Sequence, residues 1–343
     1  MRRGKLVTTL LCTAMALGML TGCGKESDST TTESTTEVTT EAATEEATVL
    51  DAATDEDADD ENYDTGDAAL DNVRNQDEIG DNELLVVSFG TSYNDSRRLT
   101  IGAIEDKLDD KFGDTYSVRR GFTSQIIIDH VKSRDDIAID NVKEALDRAV
   151  DNGVKNLVVQ PTHLMNGIEY NELVDEIANY SDAFDSVSIG EPLLTSDDDF
   201  DKVITAITDA TAEYDDGETA ICFMGHGTEA DSNEVYAKMQ ELLTEKGYDN
   251  YYVGTVEATP SLDDVLALVK AGDYKRVVLR PLMIVAGDHA NNDMAGDEDD
   301  SWKSAFEDAG YEVICVVNGL GELPAIQDIF VEHAQAAIDA ANK

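Results

Sequence analysis

The chain has 343 residues, enough for one large or two ordinary domains, and it carries a formal net charge of −48. Such an acidic chain repels the phosphates of nucleic acids, so the composition argues against a nucleic-acid-binding protein and predicts attraction for cations. Cys222 and Cys315 both lie in apolar runs, which indicates buried thiols, although the sequence leaves a disulfide open.

The first 23 residues have the features of an export signal. Basic MRRGK precedes the apolar stretch LVTTLLCTAMALGML, and small residues lead to Cys23. The apolar run is too short for a membrane-spanning helix, and a polar segment follows it. The pattern resembles a bacterial lipoprotein signal, which implies cleavage before Cys23, lipidation of its thiol, and an extracytoplasmic protein anchored to the cell membrane. An uncleaved anchor and a chance cysteine are the alternatives.

Residues 24–82 form a second region of very different composition. They contain twenty acidic residues against two basic ones, with almost no large apolar side chains. Low hydrophobicity combined with high net charge cannot offset the entropy lost on ordering. We therefore predict a disordered, self-repelling tether that ends at residue 82.

Strand-like and helical patterns alternate from residue 83 onwards. The predicted elements are, in order, strand 84–89, helix 97–111, strand 116–119, helix 136–151, strand 156–160, helix 168–180 and strand 187–189. Alternation of this kind predicts a parallel sheet that is covered by helices on both faces.

The same order of elements then recurs further along the chain. The tripeptide FGT after the first strand matches HGT at 226–228, and VVQP at 158–161 matches VLRP at 278–281. We predict two similar Rossmann-like α/β halves, residues 83–214 and 215–343, the second with a terminal helix near 324–342. Because open α/β sheets bind ligands beyond the carboxyl ends of their strands, these halves should enclose a cleft.

Three polar side chains follow predicted strands and should lie at that cleft. They are His163, Glu191 and His226. Each alone is ordinarily a structural or solvated group, but two imidazoles with a carboxylate suit a divalent ion such as Co²⁺, Ni²⁺, Fe²⁺ or Zn²⁺. His289, in the acidic loop AGDHANNDMAGDEDDSW, either gathers cations or caps a helix.

Two glycine-containing bends, SFGTS at 88–92 and GHGT at 225–228, precede helices. Backbone N–H groups at helix N-termini can hold a phosphate or a carboxylate. Neither bend is a GxGxxG or P-loop motif, so nucleotide binding has little support. No GxSxG element occurs either, which argues against a serine hydrolase.

Five stretches carry a specific resemblance: VVSFGTSYNDSR, RRGFTSQIII, VVQPTHLMNGIEY, FMGHGTEADSNEVY and LMIVAGDHANNDMAGDEDDSWK. They span nearly all of residues 83–320 and resemble the anaerobic sirohydrochlorin cobaltochelatase family, CbiK, of the class II chelatases. The resemblance implies a tetrapyrrole in the cleft and no organic cofactor. It also implies that His163 and His226 are metal ligands, joined in some members by Glu191.

The chemistry implied is the exchange of one Co²⁺ for two pyrrole protons, with Fe²⁺ or Ni²⁺ as alternative metals. We expect His163 or His226 to accept a proton, because an imidazole titrates near neutral pH. We further expect Gly225 and Gly227 to leave room for a flat macrocycle. Cations must receive the carboxylates of the substrate, and the expected substrate-binding residues are Arg119, Arg120 and the N–H groups of Gly90, Thr91 and Ser92.

The export signal departs from the family, whose members are mostly cytoplasmic biosynthetic enzymes. An alternative function is therefore an exported lipoprotein that binds a tetrapyrrole, haem or a metal ion during uptake. The sequence leaves assembly into a homo-oligomer open.

Overall fold

The computed structural model describes residues 65–341, so the predicted export signal, Cys23 and most of the predicted tether lie outside the described residues. The strands in this range are β1 (Asn82–Ser88), β2 (Ser117–Phe122), β3 (Asn156–Pro161), β4 (Ser186–Ile189), β5 (Thr219–Gly225), β6 (Tyr251–Thr255), β7 (Arg276–Pro281) and β8 (Glu312–Cys315).

The strands form two parallel four-stranded sheets of identical topology. Their orders are β2-β1-β3-β4 and β6-β5-β7-β8. The central strands β1 and β5 are buried along almost their whole length, as expected of apolar runs that helices cover on both faces. The prediction of two similar α/β halves with parallel sheets is confirmed.

Helices cover these sheets and connect their parallel strands. Their bounds are α1 (Asn94–Arg97), α2 (Ala103–Phe112), α3 (Gln125–Asp135), α4 (Val142–Asp151), α5 (Ile168–Ala178), α6 (Asp197–Asp209), α7 (Glu234–Glu245), α8 (Leu262–Ala271), α9 (Trp302–Asp308) and α10 (Pro324–Ala341).

The predicted helix 136–151 is shorter in the structure, and α3 precedes it. Asp136, in the left-handed region with φ 54°, ends α3. Helix α4 begins only after Asn141, whose side chain accepts a hydrogen bond from Glu144 N while the Glu144 carboxylate accepts one from Asn141 N. This reciprocal cap fixes the start of α4.

The last helix of the chain packs on the first half, not on the second half to which we had assigned it. Helix α10 contacts α2, β3 and β4. Conversely, the segment after α6 reaches the second sheet, where the Thr211 and Tyr251 hydroxyls lie 3.1 Å apart. Each half therefore packs against a segment that the sequence-based boundary assigns to the other half.

Residues 65–81 belong to the fold, which corrects the predicted end of the tether at residue 82. Asp71 is 9% exposed, and its carboxylate lies 2.7 Å from both Arg97 Nε and Arg120 Nη1. Ile79 is also buried in an apolar cluster. The paired charge of Asp71 and the packing of Ile79 stabilise a stretch whose average composition resembles that of a tether.

The two cysteines among the described residues bear on ligand chemistry. Cys222 and Cys315 are both free thiols, and burial raises both pKa values, that of Cys315 to about 11, so neither is a ready thiolate ligand. Among residues 65–341, no helix combines the length and the apolar character needed to cross a bilayer.

Candidate metal and substrate site

Three potential ligands converge at the carboxyl edge of the second sheet. His226 directly follows β5, Glu257 follows β6 by two residues, and His289 lies in the loop after β7. Because β5 is flanked by β6 and β7, residues that follow these three strands emerge side by side. We call His226, Glu257 and His289 the ligand trio.

The ligand trio is compact enough to hold a metal ion. One ligand atom from each residue lies within 4.8 Å of the others. His226 Nε2 is 3.9 Å from Glu257 Oε1, and the rings of His226 and His289 meet edge to face with centroids 4.6 Å apart. All three side chains are partly exposed, so an ion can enter and leave. Two imidazoles and one carboxylate suit borderline divalent ions.

Hydrogen bonds orient both imidazoles of the ligand trio. His226 Nδ1 lies 2.8 Å from the carbonyl oxygen of Gly227. A carbonyl only accepts, so Nδ1 donates and Nε2 keeps its lone pair for an ion. His289 Nδ1 lies 2.8 Å from Asp293 Oδ2, and this hydrogen bond raises the pKa of His289 despite burial. An oriented imidazole backed by a carboxylate is a common arrangement at metal sites.

His163 has a different environment at the end of β3. It is 7% exposed, and within the described structure neither of its ring nitrogens has a hydrogen-bond partner. Burial lowers its pKa to about 4, so the ring is neutral near pH 7. Unpartnered buried polar atoms are costly, which suits a site that a ligand completes.

Replacement of His163 by leucine should make the protein relatively more stable in acid. In the unfolded chain the His163 imidazole takes up a proton near pH 6.5. In the folded protein it takes up a proton only near pH 4, because burial lowers its pKa. The wild type therefore loses stability as the pH falls through this interval, by about 3 kcal/mol from this group. Denaturant titrations of both proteins at several pH values measure the difference. If the difference in the free energy of unfolding between the two proteins did not change with pH, His163 would not be a buried imidazole of lowered pKa.

The predicted ligand set of His163, Glu191 and His226 does not form a compact group among residues 65–341. Glu191 is exposed after the edge strand β4, and its backbone oxygen accepts hydrogen bonds from Gln160 and His333. The sequence reasoning missed Glu257 because we had not assigned β6. For His289 the sequence leaves two roles open, capture of cations by its acidic loop and capping of a helix, and the structure places this residue beside His226.

The predicted roles of Arg119 and Arg120 as receptors of substrate carboxylates are wrong. Both are 0% exposed in β2, which helices α2 and α4 contact. Arg119 bonds to Glu83 at 3.0 Å and to Asp140 at 2.8 Å. Arg120 bonds to Asp71 and Glu105 through four hydrogen bonds. Their positive charges are already neutralised inside the protein.

The predicted bend of Gly90, Thr91 and Ser92 lies at the carboxyl end of β1. Gly90 has φ +109°, a conformation that favours glycine, and a Cβ there would meet the Phe122 ring at 2.6 Å. The carbonyl oxygens of Thr91 and Ser92 accept hydrogen bonds from arginine side chains. The bend therefore has a fixed backbone at the edge where ligands bind in such sheets.

The two glycines beside His226 make room for protein atoms, not for the macrocycle that we had expected there. A Cβ on Gly225 would lie 2.2 Å from the buried ring of Tyr236. Gly227 has φ +93°, and a Cβ would approach Ala258 at 2.9 Å. Glycine is required here so that the backbone can turn sharply and present His226.

The two halves face each other across this region. A Cβ on Gly287, in the loop of His289, would lie 3.1 Å from Thr91 Oγ1 of the first half. Glu169, in the first turn of α5, is solvent-accessible. Partial enclosure raises its pKa, and the proximity of His226 opposes that rise. The sequence reasoning had not singled out Glu169, a carboxylate that faces the ligand trio from the opposite half.

Comparison with known proteins gives a consistent family assignment. The family model described as cobalt chelatase (CbiK) matches residues 82–339. The sirohydrochlorin cobaltochelatase of Salmonella typhimurium is 37% identical over 258 residues, 75% of this chain and 97% of that protein. The sirohydrochlorin cobaltochelatase CbiKC of Nitratidesulfovibrio vulgaris is 32% identical over 187 residues, 54% of this chain and 66% of that protein.

Solved structures support the fold. SirB from Bacillus subtilis with Fe³⁺ has a TM-score of 0.55 at 13% identity, covering 76% of this chain and 98% of that one. The sirohydrochlorin chelatase SirB from Bacillus subtilis subspecies spizizenii, in complex with cobalt, has a TM-score of 0.53 at 13% identity, with 76% and 97% covered. At this identity the likeness concerns the fold alone.

Proposed function

The chain belongs to the CbiK cobalt chelatase family, and on that premise we propose that it is a sirohydrochlorin cobaltochelatase. The reaction takes up one Co²⁺ and releases two pyrrole protons, so charge and atoms balance. The observation that carries this proposal is the ligand trio at the carboxyl edge of the second sheet, in a region where the loop of His289 approaches Thr91 of the first half. Two imidazoles and a carboxylate bind Co²⁺, and they bind Fe²⁺ and Ni²⁺ in the same manner.

His226, Glu257 and His289 hold the incoming ion next to the tetrapyrrole. Their partial exposure and the protein's negative charge favour its capture. Soft thiolate ligands would retain the ion, whereas imidazole and carboxylate ligands allow its transfer to the pyrrole nitrogens.

We propose two groups of the first half as acceptors of the pyrrole protons. His163 is neutral and its ring nitrogens are unpartnered, so it can accept a proton, and its low pKa favours rapid release of that proton. Glu169 is a carboxylate of raised pKa close to His226. The N–H groups of the bend at Gly90, Thr91 and Ser92 remain our proposed donors for a carboxylate of the substrate.

Replacement of Glu257 by glutamine should weaken binding of Co²⁺ alone by about 10- to 100-fold, because the ligand trio loses its one negative charge. The matched change Glu191→Gln should leave the affinity unaltered, since Glu191 lies outside the trio. Titration with Co²⁺, followed by the visible absorption of the bound ion, measures both. The opposite result, with Glu191→Gln as the weaker binder, would place the ion at the ligand set that the sequence predicts.

We propose an extracytoplasmic, lipid-anchored location, supported by the signal-like residues 1–23 and by Cys23. This location favours the alternative function, an exported carrier of a tetrapyrrole or a metal ion. Mass spectrometry of the protein from its native cells tests the anchor, because lipidation adds acyl mass to an N-terminal Cys23. A chain that still begins at residue 1 would contradict it.

The rate of cobalt insertion into sirohydrochlorin distinguishes a chelatase from a carrier protein. The purified chain is mixed with metal-free sirohydrochlorin and Co²⁺ without oxygen, and the change in visible absorption is compared with that of the same mixture lacking protein. A chelatase accelerates insertion, and repetition with Ni²⁺ and Fe²⁺ defines its metal preference. A bound-state spectrum with no acceleration would refute the enzyme and favour the carrier.

A further inference from the structure

The matching sheets allow the halves to be compared position by position. Strand pairing sets Ser88 opposite Phe122 in the first sheet and Gly225 opposite Thr255 in the second. The residue that follows β1, Phe89, is therefore the counterpart of His226, which follows β5.

The same comparison extends beyond β3 and β7. Both strands end at a proline, and a glycine follows six positions later, Gly167 in one half and Gly287 in the other. Asn171 Nδ2 donates to Gly167 O at 2.8 Å, and Asn291 Nδ2 donates to Gly287 O at 2.7 Å. Because this local hydrogen bond is the same, the residues between are equivalent, and Glu169 is the counterpart of His289.

The first half therefore lacks the imidazoles of the ligand trio and has a different surface at the same place. Where the second half has His226, the first has Phe89, an aromatic ring that is 42% exposed. Ile168, the counterpart of Asp288 by the same alignment, is 57% exposed at the start of α5. Large apolar side chains left open at the carboxyl edge of a parallel sheet are typical of a binding site.

The residues beside Phe89 and Ile168 in the chain approach the half that carries the ligand trio. Thr91, two residues after Phe89, approaches Gly287 of the second half, and Gly167, next to Ile168, approaches Ser232. Glu169, which follows Ile168, is close enough to His226 to affect its own pKa. One wall of the cleft therefore carries metal ligands, and the other carries apolar groups beside a carboxylate.

We propose that Phe89 seats the macrocycle, packing against one face of the tetrapyrrole while the other face turns to the ligand trio. This inference rests on the proposed function and assigns the ring-binding residue within it. A flat conjugated ring packs well against an aromatic side chain in an offset or edge-to-face arrangement. Equivalent positions in the two halves would then bind different things. His226 of the second half binds the metal, and Phe89 of the first half binds the ring.

The test uses the purified full chain and metal-free sirohydrochlorin, with binding followed by the change in the absorption of the tetrapyrrole. Phe89→Ala should weaken binding by about tenfold or more, since the proposed contact between the aromatic ring and the macrocycle is lost. Phe89→Tyr, which retains the ring, should bind like the wild type. Leu268→Ala, at an exposed apolar residue of the outer helix α8, is the matched control and should have no effect.

Binding of Co²⁺ alone is the second readout, and it should be equal in the wild type and in Phe89→Ala. Wild-type affinity of Phe89→Ala for sirohydrochlorin would overturn the assignment of Phe89 while leaving the proposed function intact. Equal losses in Phe89→Tyr and Phe89→Ala, or a parallel loss of Co²⁺ binding, would also overturn it. A wild type that does not bind sirohydrochlorin would overturn the proposed function itself.

Discussion

His226→Ala is expected to lower the rate of cobalt insertion by at least about a hundredfold, because it removes one of the two imidazoles of the ligand trio. His226 contacts Glu257 and His289 and faces Glu169 of the other half. The side chain is about one-third exposed, and it donates a hydrogen bond to the carbonyl oxygen of the adjacent Gly227. Its removal should therefore change the free energy of unfolding by less than about 1 kcal/mol.

The measurement is the anaerobic insertion assay under single-turnover conditions, with His130→Ala as the control. His130 lies in α3 of the first half and is not part of the ligand trio. Retention of the wild-type rate within about twofold by His226→Ala would be inconsistent with a role for this imidazole in the reaction. A loss of activity accompanied by unfolding, monitored by circular dichroism, would refute the expectation that His226 acts locally.

Arg120→Leu is expected to destabilise the protein by about 3–5 kcal/mol, because it leaves two buried carboxylates without their main partner. Arg120 is 0% exposed, bonding to Asp71 at 2.7 and 3.0 Å and to Glu105 at 2.7 and 2.8 Å. Burial raises the pKa of Asp71, but the hydrogen bonds and charges of Arg120 and Arg97 outweigh burial and hold it below its usual value. Without Arg120 we expect burial to outweigh the remaining favourable interactions and to raise the pKa of Asp71.

Denaturant unfolding of the wild type and the variant measures this loss. Arg98→Leu is the matched control: its ion pair with Asp95 lies on the surface and should contribute less than about 1 kcal/mol. The sequence-based expectation that Arg120 receives substrate carboxylates predicts a raised KM at unchanged stability. A raised KM at unchanged stability would show that Arg120 binds the substrate. It would contradict the role of Arg120 as a buried partner of Asp71 and Glu105.

The fold could be predicted because its signals are local. Apolar runs followed by amphipathic stretches define parallel strands and covering helices, and the recurrence of similar bends reveals two halves. What the local pattern cannot show is which half a helix packs on. The crossing of α10 to the first half depends on its apolar contacts with α2, β3 and β4, which are distant in sequence.

The site could be predicted only in part. His226 follows a continuous apolar run, so the sequence identifies it as a residue at the end of a strand. Glu257 follows β6, a strand that the sequence analysis does not predict. Arg119 and Arg120 lie in β2, which the sequence predicts only as far as residue 119, and their acidic partners come from distant segments. One of these partners, Asp71, lies in a stretch whose composition indicates disorder. Pairing of this kind is a property of the tertiary structure.

The position of the bound ion tests the central claim most directly. Crystals of the chain soaked with Co²⁺, with anomalous diffraction recorded at the cobalt edge, give that position without any assumption about activity. We predict a cobalt peak at about 2.0–2.2 Å from His226 Nε2, a Glu257 carboxylate oxygen and His289 Nε2. A peak coordinated by His163 and Glu191, with Glu257 and His289 uninvolved, would contradict the account and restore the ligand set that the sequence alone predicts.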